Sequence, residues 1–518
     1  MHNISLQRIA HWNSQSAMRN AQNLMAEYGG GHRSAFQIEQ SQQLLAQVGR
    51  SRNLPTRALL AAPARIGLWL NATCACDQHG CRWPMNSTDA APGAHPYLAE
   101  SLYYGPLGVA IFLRQLGATQ AGWQGLAIAA LEAARAYVAT GAAVQAYGSN
   151  AGFYYGLAGI AYGLRVASDG LPNASSFADA ASRLETHVLS TVSPFSTNVS
   201  ARLWNNTDVA HGAAGTGLYF LWLSRRASLP PQARQAAIEA AKRAGHWLLS
   251  RAESVGDDGL RWARGPDTDG EHAHAYYPTF CCGGAGVAYL LSELSQARGV
   301  ASGDAAAFLD AARRGATHVV SLGRAVPADG LLVPHEEEGD GLHEYYLGWC
   351  GGPPGWARLL VSLYRATREA RWLAPLAAAT RSVVALVRPE SLDMLYPQGA
   401  APWANLGQCC GASAAGQFLL SLGESDAALP VDASLKRNAT AAALGLAEAI
   451  AARGVAAAPD GLGLATPSPE EHAVPLDTRW QAGWMQGAAG VGSFLLHAHA
   501  VASGGAEGRR VPWPDEPW

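Results

Sequence analysis

Two kinds of helical segment alternate along the chain. The first carries one apolar stripe: over 232–250, Ala237, Ala241, Ala244 and Leu248 line up while Glu239, Lys242 and Arg243 are set off them. That spacing predicts an amphipathic helix, and similar stretches run over 124–139, 304–321, 374–386 and 435–452. The second kind is short and apolar nearly all round, as in 216–221, 287–291 and 416–420. A helix without a polar face has to be buried. Turn clusters such as Leu229-Pro230-Pro231 and the run 457–461 separate the segments.

Each apolar segment opens with the same turn, Gly-x-x-Gly. It starts at Gly105, Gly156, Gly212, Gly283, Gly352, Gly411 (with Ala414 in place of the last glycine) and Gly487. Those seven copies, spaced by about 50 to 75 residues, mark a repeat architecture. One polar-backed and one apolar helix per repeat predict an all-α fold, an α/α toroid of seven double-helical repeats with inner and outer helix rings. Closure requires the ends to meet. An outer helix is expected over 56–71, and the last repeat with the tail Trp513–Trp518 is expected to complete the ring. Residues 1–56 read as a helical or flexible extension and 57–518 as the toroid domain. The glycines allow helix starts to converge closely, and the N–H groups exposed there are expected to favour anions, thiolates included.

Composition narrows the function classes. With 37 Lys+Arg against 40 Asp+Glu, the chain has no electrostatic footprint for nucleic acid. No apolar run reaches the roughly 18 residues of a transmembrane helix. The first thirty residues lack the apolar core of a secretory signal, so Asn71, Asn86 and Asn198 read as chance matches to glycosylation triplets, and a cytoplasmic, reducing-compartment monomer is expected. The arginines of 1–70, against only Glu27 and Glu39, leave an organelle transit peptide open. Eight cysteines are too few for a disulfide scaffold in 518 residues.

Their placement points to chemistry. Taking the residue before each first glycine as a slot facing the axis, repeat three offers His211, repeat four Cys282 behind Cys281, and repeat six Cys410 behind Cys409. Repeat five has Gly351 in the slot behind Cys350. Thiolate and imidazole suit zinc, and three protein ligands leave a fourth position for a reactant. Buried structural thiols fit the spacing equally well.

The phrases Gly348-Trp349-Cys350-x-Gly352-x-Pro354-Gly355, Cys409-Cys410-Gly411 and Ala210-His211-Gly212-x-x-Gly215, with the seven repeats and Tyr276-Tyr277-Pro278, resemble the lanthionine synthetase C-like (LanC-like) family from about residue 57 onward. The resemblance implies one zinc ion held by Cys350, Cys409 and Cys410, like the three-cysteine subset of members; most have Cys-His at the second site. It implies His211 as acid/base and Trp349 beside the first ligand, with Tyr346 where some members carry arginine; these three are the candidate catalytic residues. Gly152 stands where members have an aspartate, and Gly351 where they have an aromatic residue or histidine. The implied activity is Michael-type addition of a thiol, from a peptide cysteine or glutathione, to dehydroalanine or dehydrobutyrine in a peptide or protein. Three thiolates leave the zinc site at net −1, favouring a nucleophilic sulfur.

Two other classes stay open. One is a non-catalytic zinc- or glutathione-binding scaffold. The other is a six-hairpin-type glycosidase, which needs paired carboxylates and has Asp267, Asp269 and Glu271 to offer. Cys281-Cys282 reads as packing or rim, ahead of a second metal site or a redox pair. Cys74, Cys76, Cys81 and His79 read as a surface cluster, Glu336-Glu337-Glu338 as a solvated loop, and His272 and His274 as loop polar residues.

Overall fold

The structure is a computed structural model that describes residues 54–83, 99–148, 150–191, 206–265, 275–389, 406–454, 456–457, 464–465, 467–469, 478–505, 511 and 513–518. Most of the 1–56 extension, residues Asn86 and Asn198, and the group Asp267, Asp269, Glu271, His272 and His274 lie outside them.

Helices alternate as the pattern predicts. In chain order they are α1 Leu54–Thr73, α2 Pro106–Thr119, α3 Gln124–Ala139, the short α4 Ala142–Tyr147, α5 Leu157–Ser168, α6 Ala174–Thr191, α7 Ala213–Ser224 and α8 Pro231–Ser250. They continue with α9 Gly284–Ser295, α10 Ser302–Ser321, α11 Pro353–Thr367, α12 Leu373–Leu386, α13 Ala412–Gly423, α14 Ala433–Ala449 and α15 Ala488–Ser503. The inner ring is α2, α5, α7, α9, α11, α13 and α15, each packed on the next, with α15 returning to α2. Inner helices are buried almost throughout, as in α13, where every residue from Ala412 to Leu422 is enclosed. The outer helices bury one stripe: Ala237, Ala241, Ala244 and Leu248 of α8 are fully enclosed. The outer helix expected over 56–71 is α1, which packs on α15 and supplies the seventh pair. The α/α toroid therefore closes.

Among the described residues, five antiparallel two-stranded ribbons were not legible in the pattern. Four follow outer helices: β1 Ala75–Asp77 with β2 Gly80–Arg82 after α1, β3 Glu253–Val255 with β4 Gly259–Arg261 after α8, β5 Arg324–Val326 with β6 Gly330–Leu332 after α10, and β7 Ala456–Ala457 with β8 Leu464–Ala465 after α14. The fifth pairs β9 Pro467–Pro469 with β10 Thr478–Trp480. Two or three residues per strand are too few to display alternation, and only the turns betray them. Ala328 and Asp329 both take positive φ between β5 and β6, the geometry of a tight hairpin. In the first ribbon Cys76 and Cys81 face each other and are joined by a disulfide. Two members of the supposed surface cluster are thereby committed to one bond.

The first glycine of every Gly-x-x-Gly is the N-cap of an inner helix, in extended backbone with no side chain to cap it. The chain caps itself instead. Ala213 N–H donates to Asn206 O (2.9 Å), Gly284 to Tyr277 O (2.7 Å) and Ala488 to Gln481 O (2.8 Å), each seven residues upstream. The expectation of free, anion-seeking N–H groups at the axis is thus corrected: these first-turn donors are taken by the preceding loop. The last glycine of the turn lets that loop close. A Cβ on Gly215 would sit 1.9 Å from Val209 O, and on Gly355 2.0 Å from Trp349 O.

Around the axis these loops join in a circuit of backbone hydrogen bonds. Tyr103 N–H donates to Tyr154 O (3.2 Å), Tyr154 to Ala210 (3.1 Å), Ala210 to Cys281 (3.1 Å) and Cys281 to Cys350 (3.1 Å). Cys350 then donates to Cys409 (3.0 Å), Cys409 to Met485 (2.9 Å), and Met485 back to Tyr103 (3.1 Å). Every member stands two residues before its N-cap glycine.

The tail does not complete the ring as expected; it occupies the interior. Trp513 packs on Tyr162 and Trp484, with ring centroids 5.0 and 4.7 Å away. Buried Asp515 accepts from Trp349 Nε1 (2.9 Å) and Tyr154 Oη (3.1 Å) and pairs with Arg358 (3.0 Å). One carboxylate so ties the tail to repeats two and five. Asp515→Ala would leave the buried Arg358 guanidinium its backbone acceptors, Pro354 O and the carbonyl of residue 515, but only the more distant Glu516 at 3.7 Å as a counter-charge. It is expected to lower stability by roughly 3 kcal/mol, read from the denaturant midpoint, with a smaller loss for Asp515→Asn.

Candidate metal centre

The circuit decides which side chains meet. It sets Cys281, Cys350 and Cys409 side by side on three successive repeats, with Cys282 and Cys410 one residue further on. The sulfurs of Cys350, Cys409 and Cys410 all lie within 4.8 Å of one another, and so do those of Cys281, Cys282 and Cys350. Cys410 Sγ is 3.3 Å from Cys409 Sγ, and Cys281 Sγ is 2.8 Å from Cys350 Sγ. Glycine makes the approach possible. A Cβ on Gly348 would lie 2.4 Å from Cys410 Cα, so the Gly-Trp-Cys loop rides directly on the backbone of the next repeat's cysteine.

Cys350 is the hub. Hydrogen bonds from Cys281, Cys282 and Cys410 hold its thiol well below the usual range, against burial and Cys409. Burial pushes Cys281 well up, and the bond to Cys350, with Cys409 and burial, does the same for Cys410. One sulfur is poised to ionise among neighbours that donate to it. The set Cys350, Cys409 and Cys410 fits a zinc ion by its donor chemistry and by its mutual spacing, since tetrahedral zinc with bonds of about 2.3 Å separates its sulfurs by about 3.8 Å.

His211 occupies the slot of repeat three, next on the circuit to Cys282. Its backbone N–H donates to Asp208 Oδ1 (2.7 Å), and its Nδ1 lies 3.4 Å from Asp208 Oδ2. Asp208 is fully buried and also accepts from Gly212 N–H (3.1 Å) and Arg264 Nε (3.2 Å). Tyr155 stacks flat on the imidazole, 4.5 Å between centroids and 4° between planes. The His211 side chain remains 29% exposed, so a reactant can reach it. Burial disfavours the imidazolium, but the Asp208 carboxylate outweighs it and raises the His211 pKa. Asp208 is lowered in turn: burial opposes, and His211 and Arg264 prevail.

Asp208, the buried partner of His211, is a candidate site residue that sequence reasoning missed. Its signal was its place three residues before His211, just upstream of the phrase Ala210-His211-Gly212. Gly152, where the resemblance leads one to look for an aspartate, abuts His211: a Cβ there would lie 2.4 Å from the His211 carbonyl carbon. Tyr346 lies over Gly351, with its ring 2.5 Å from where a Gly351 Cβ would be, and donates to Glu344 (3.1 Å). Trp349 is buried, its indole on Asp515 and its ring edge-on to Tyr154 at 4.8 Å. The interior cavity near it, lined by Tyr154, Trp349, Arg358 and tail residues, touches none of the five sulfurs and is space around the tail. Glu337 departs from the solvated-loop reading: only 6% exposed, it pairs with His318 (3.0 Å) and Arg261 (3.3 Å).

The pairing has a pH signature. Stability from the raised His211 is fully present below the free imidazole value of about 6.5 and lost as pH rises through its folded value. Stability from the lowered Asp208 is present above about 3.9 and lost as pH falls through its folded value. Asp208→Asn removes the counter-charge and leaves Arg264 beside the ring, so NMR titration should find the His211 midpoint below that of the wild type. Gly152→Asp, whose Cβ would lie 2.4 Å from the His211 carbonyl carbon, should lower the melting temperature.

A family model described as "Lanthionine synthetase C-like protein" matches residues 96–428. Among solved structures, nisin cyclase matches with a TM-score of 0.52 and 14% sequence identity over 80% of this chain and 91% of that chain. At that identity the likeness is one of fold. No curated protein matches by sequence.

Proposed function

We propose that this chain, which belongs to the lanthionine synthetase C-like family, joins thiols to dehydroamino acid residues of a peptide or protein to give thioethers. The observation that carries the reading is the meeting of Cys350, Cys409 and Cys410 within 4.8 Å, two steps along the circuit from a carboxylate-backed histidine.

Cys350, Cys409 and Cys410 would hold zinc, which when bound lowers the pKa of an incoming thiol toward neutrality. The remaining work falls to the chain. Carbon–sulfur bond formation at the β-carbon of dehydroalanine or dehydrobutyrine sends the π electrons to an enolate, and the thiol proton goes to solvent. His211, whose protonated form Asp208 favours, delivers its proton to the α-carbon and is recharged from solvent. Tyr155 fixes the plane of the ring through stacking, and Asp208 fixes its direction through Nδ1. Tyr346 fills the slot that Gly351 leaves open beside Cys350, excluding water from one flank of the sulfurs. The thiol is a substrate cysteine or glutathione; the partially exposed histidine accommodates either.

Metal content and mass spectrometry of a dehydrated peptide incubated with a thiol test the reading together. Wild-type protein should retain zinc through dialysis and add the mass of the thiol. Cys409→Ala should lose the zinc held by Cys350, Cys409 and Cys410, and with it the product. His211→Asn should keep the zinc and slow product formation by roughly 10²–10⁴-fold. Zinc and glutathione retained by the wild type with no thioether formed would make the protein a binding scaffold instead.

A further inference from the structure

The five axial cysteines form a symmetric arrangement that one ion does not use. Cys281-Cys282-Gly283 and Cys409-Cys410-Gly411 are the same phrase at the same positions of repeats four and six. Cys350 lies between them, one backbone step from each: its carbonyl accepts from Cys281 N–H (3.1 Å) and its N–H donates to Cys409 O (3.0 Å). Its sulfur belongs to both three-sulfur groups.

We propose that Cys281, Cys282 and Cys350 form a second thiolate site for a zinc-class divalent cation, with Cys350 bridging two ions in a five-sulfur cluster. The inference shares Cys350 with the site proposed above and rests on that reading. Chemistry favours it over plain packing. Three sulfurs gathered around one partner is more than an apolar core requires, and Cys282 is only partly buried, so an ion has a path of entry. Both groups fall within the reach of a tetrahedral ion, whose sulfurs stand about 3.8 Å apart. The close Cys281–Cys350 and Cys409–Cys410 pairs open modestly to accept it.

Charge is conserved in a telling way. Two divalent ions among five thiolates leave net −1, the same as one ion among three. A single ion with all five cysteines ionised would leave net −3 in a buried site, so Cys281 and Cys282 ionise only with the second ion. Its binding displaces their two protons to solvent. The bridging sulfur would then give less electron density to each metal, so the first ion would lower the pKa of an incoming thiol further than an isolated three-thiolate site.

The test is the metal stoichiometry of the full-length protein, loaded with zinc under reducing conditions and freed of excess. Two ions per chain are expected for the wild type, and one each for Cys281→Ser/Cys282→Ser and Cys409→Ser/Cys410→Ser. Cobalt titration of the wild type provides a second reading that needs no variant. The electron paramagnetic signal should grow with the first equivalent and fall with the second, as a shared sulfur couples the ions. One zinc in the wild type, unchanged in Cys281→Ser/Cys282→Ser and lost in Cys409→Ser/Cys410→Ser, overturns the second site and leaves the thioether reading standing. One zinc lost only in Cys281→Ser/Cys282→Ser overturns both. A cobalt signal that grows steadily through two equivalents overturns the bridge.

Discussion

The closed circuit of backbone hydrogen bonds from Tyr103 round to Met485 and back is the constraint on which the rest depends. Each bond joins equivalent residues of neighbouring repeats, so the circuit fixes the register of all seven repeats at once. Buried amides have to be paired, and here the partner of each lies in the neighbouring repeat, about 50 to 75 residues away in sequence for six links and across the whole ring for the closing bond from Met485 to Tyr103. A slip by one residue in any loop would break two links and turn the slot residue away from the axis. This is why inner helices begin with glycine at the cap and, in six of the seven repeats, again three residues on. The loop has to double back tightly enough for its carbonyls to reach its own helix start and the neighbouring loop together.

Electrostatics is layered onto that frame by two buried carboxylates with different jobs. Asp515 binds outward from the tail to Trp349, Tyr154 and Arg358, so its charge is spent on holding elements of separate repeats in place. Asp208 is shared between His211 and Arg264, and the imidazole it supports is partly open to solvent. A buried charge is tolerated only when paired, and both are. The difference lies in the partner: guanidinium and indole cannot give up a proton near neutral pH, whereas imidazolium can. Only the second arrangement is suited to proton transfer.

What the sequence disclosed, it disclosed through repetition. Seven glycine turns in phase with alternating helix types implied the rings, their closure and the slots, because a periodic signal survives the ambiguity of any one copy. The gathering of Cys350, Cys409 and Cys410 followed from the same phase. Features that occur once were hidden. The three-residue hairpins had no room for a pattern, and the Cys76–Cys81 disulfide sits in one of them. The path of Trp513–Trp518 through the interior is set by long-range partners, Asp515 with Arg358 above all, that no local pattern encodes. Asp208 was visible but unread, since its role depends on a χ angle and on Arg264, which is distant in sequence. The free N–H groups expected at the axis failed for a definite reason: the loops that deliver the cysteines also consume the donors.

The departures from the family pattern are fewer than a residue count suggests, because space links them. Gly351 and Tyr346 compete for one volume: a side chain on the first would lie 2.5 Å from the ring of the second. A bulky residue in the slot and a tyrosine five positions earlier are mutually exclusive, so the pair is a single exchange that still walls the flank of Cys350. Gly152 is a close-approach glycine against His211, as Gly348 is against Cys410 and Gly483 against Tyr104. With that contact in place a carboxylate has no room there, and the histidine takes its counter-charge from within its own loop. The carboxylate-backed histidine and the five sulfurs thus sit on separate arcs of one ring, and it is the circuit of backbone bonds, with no side chain of its own, that keeps them in register.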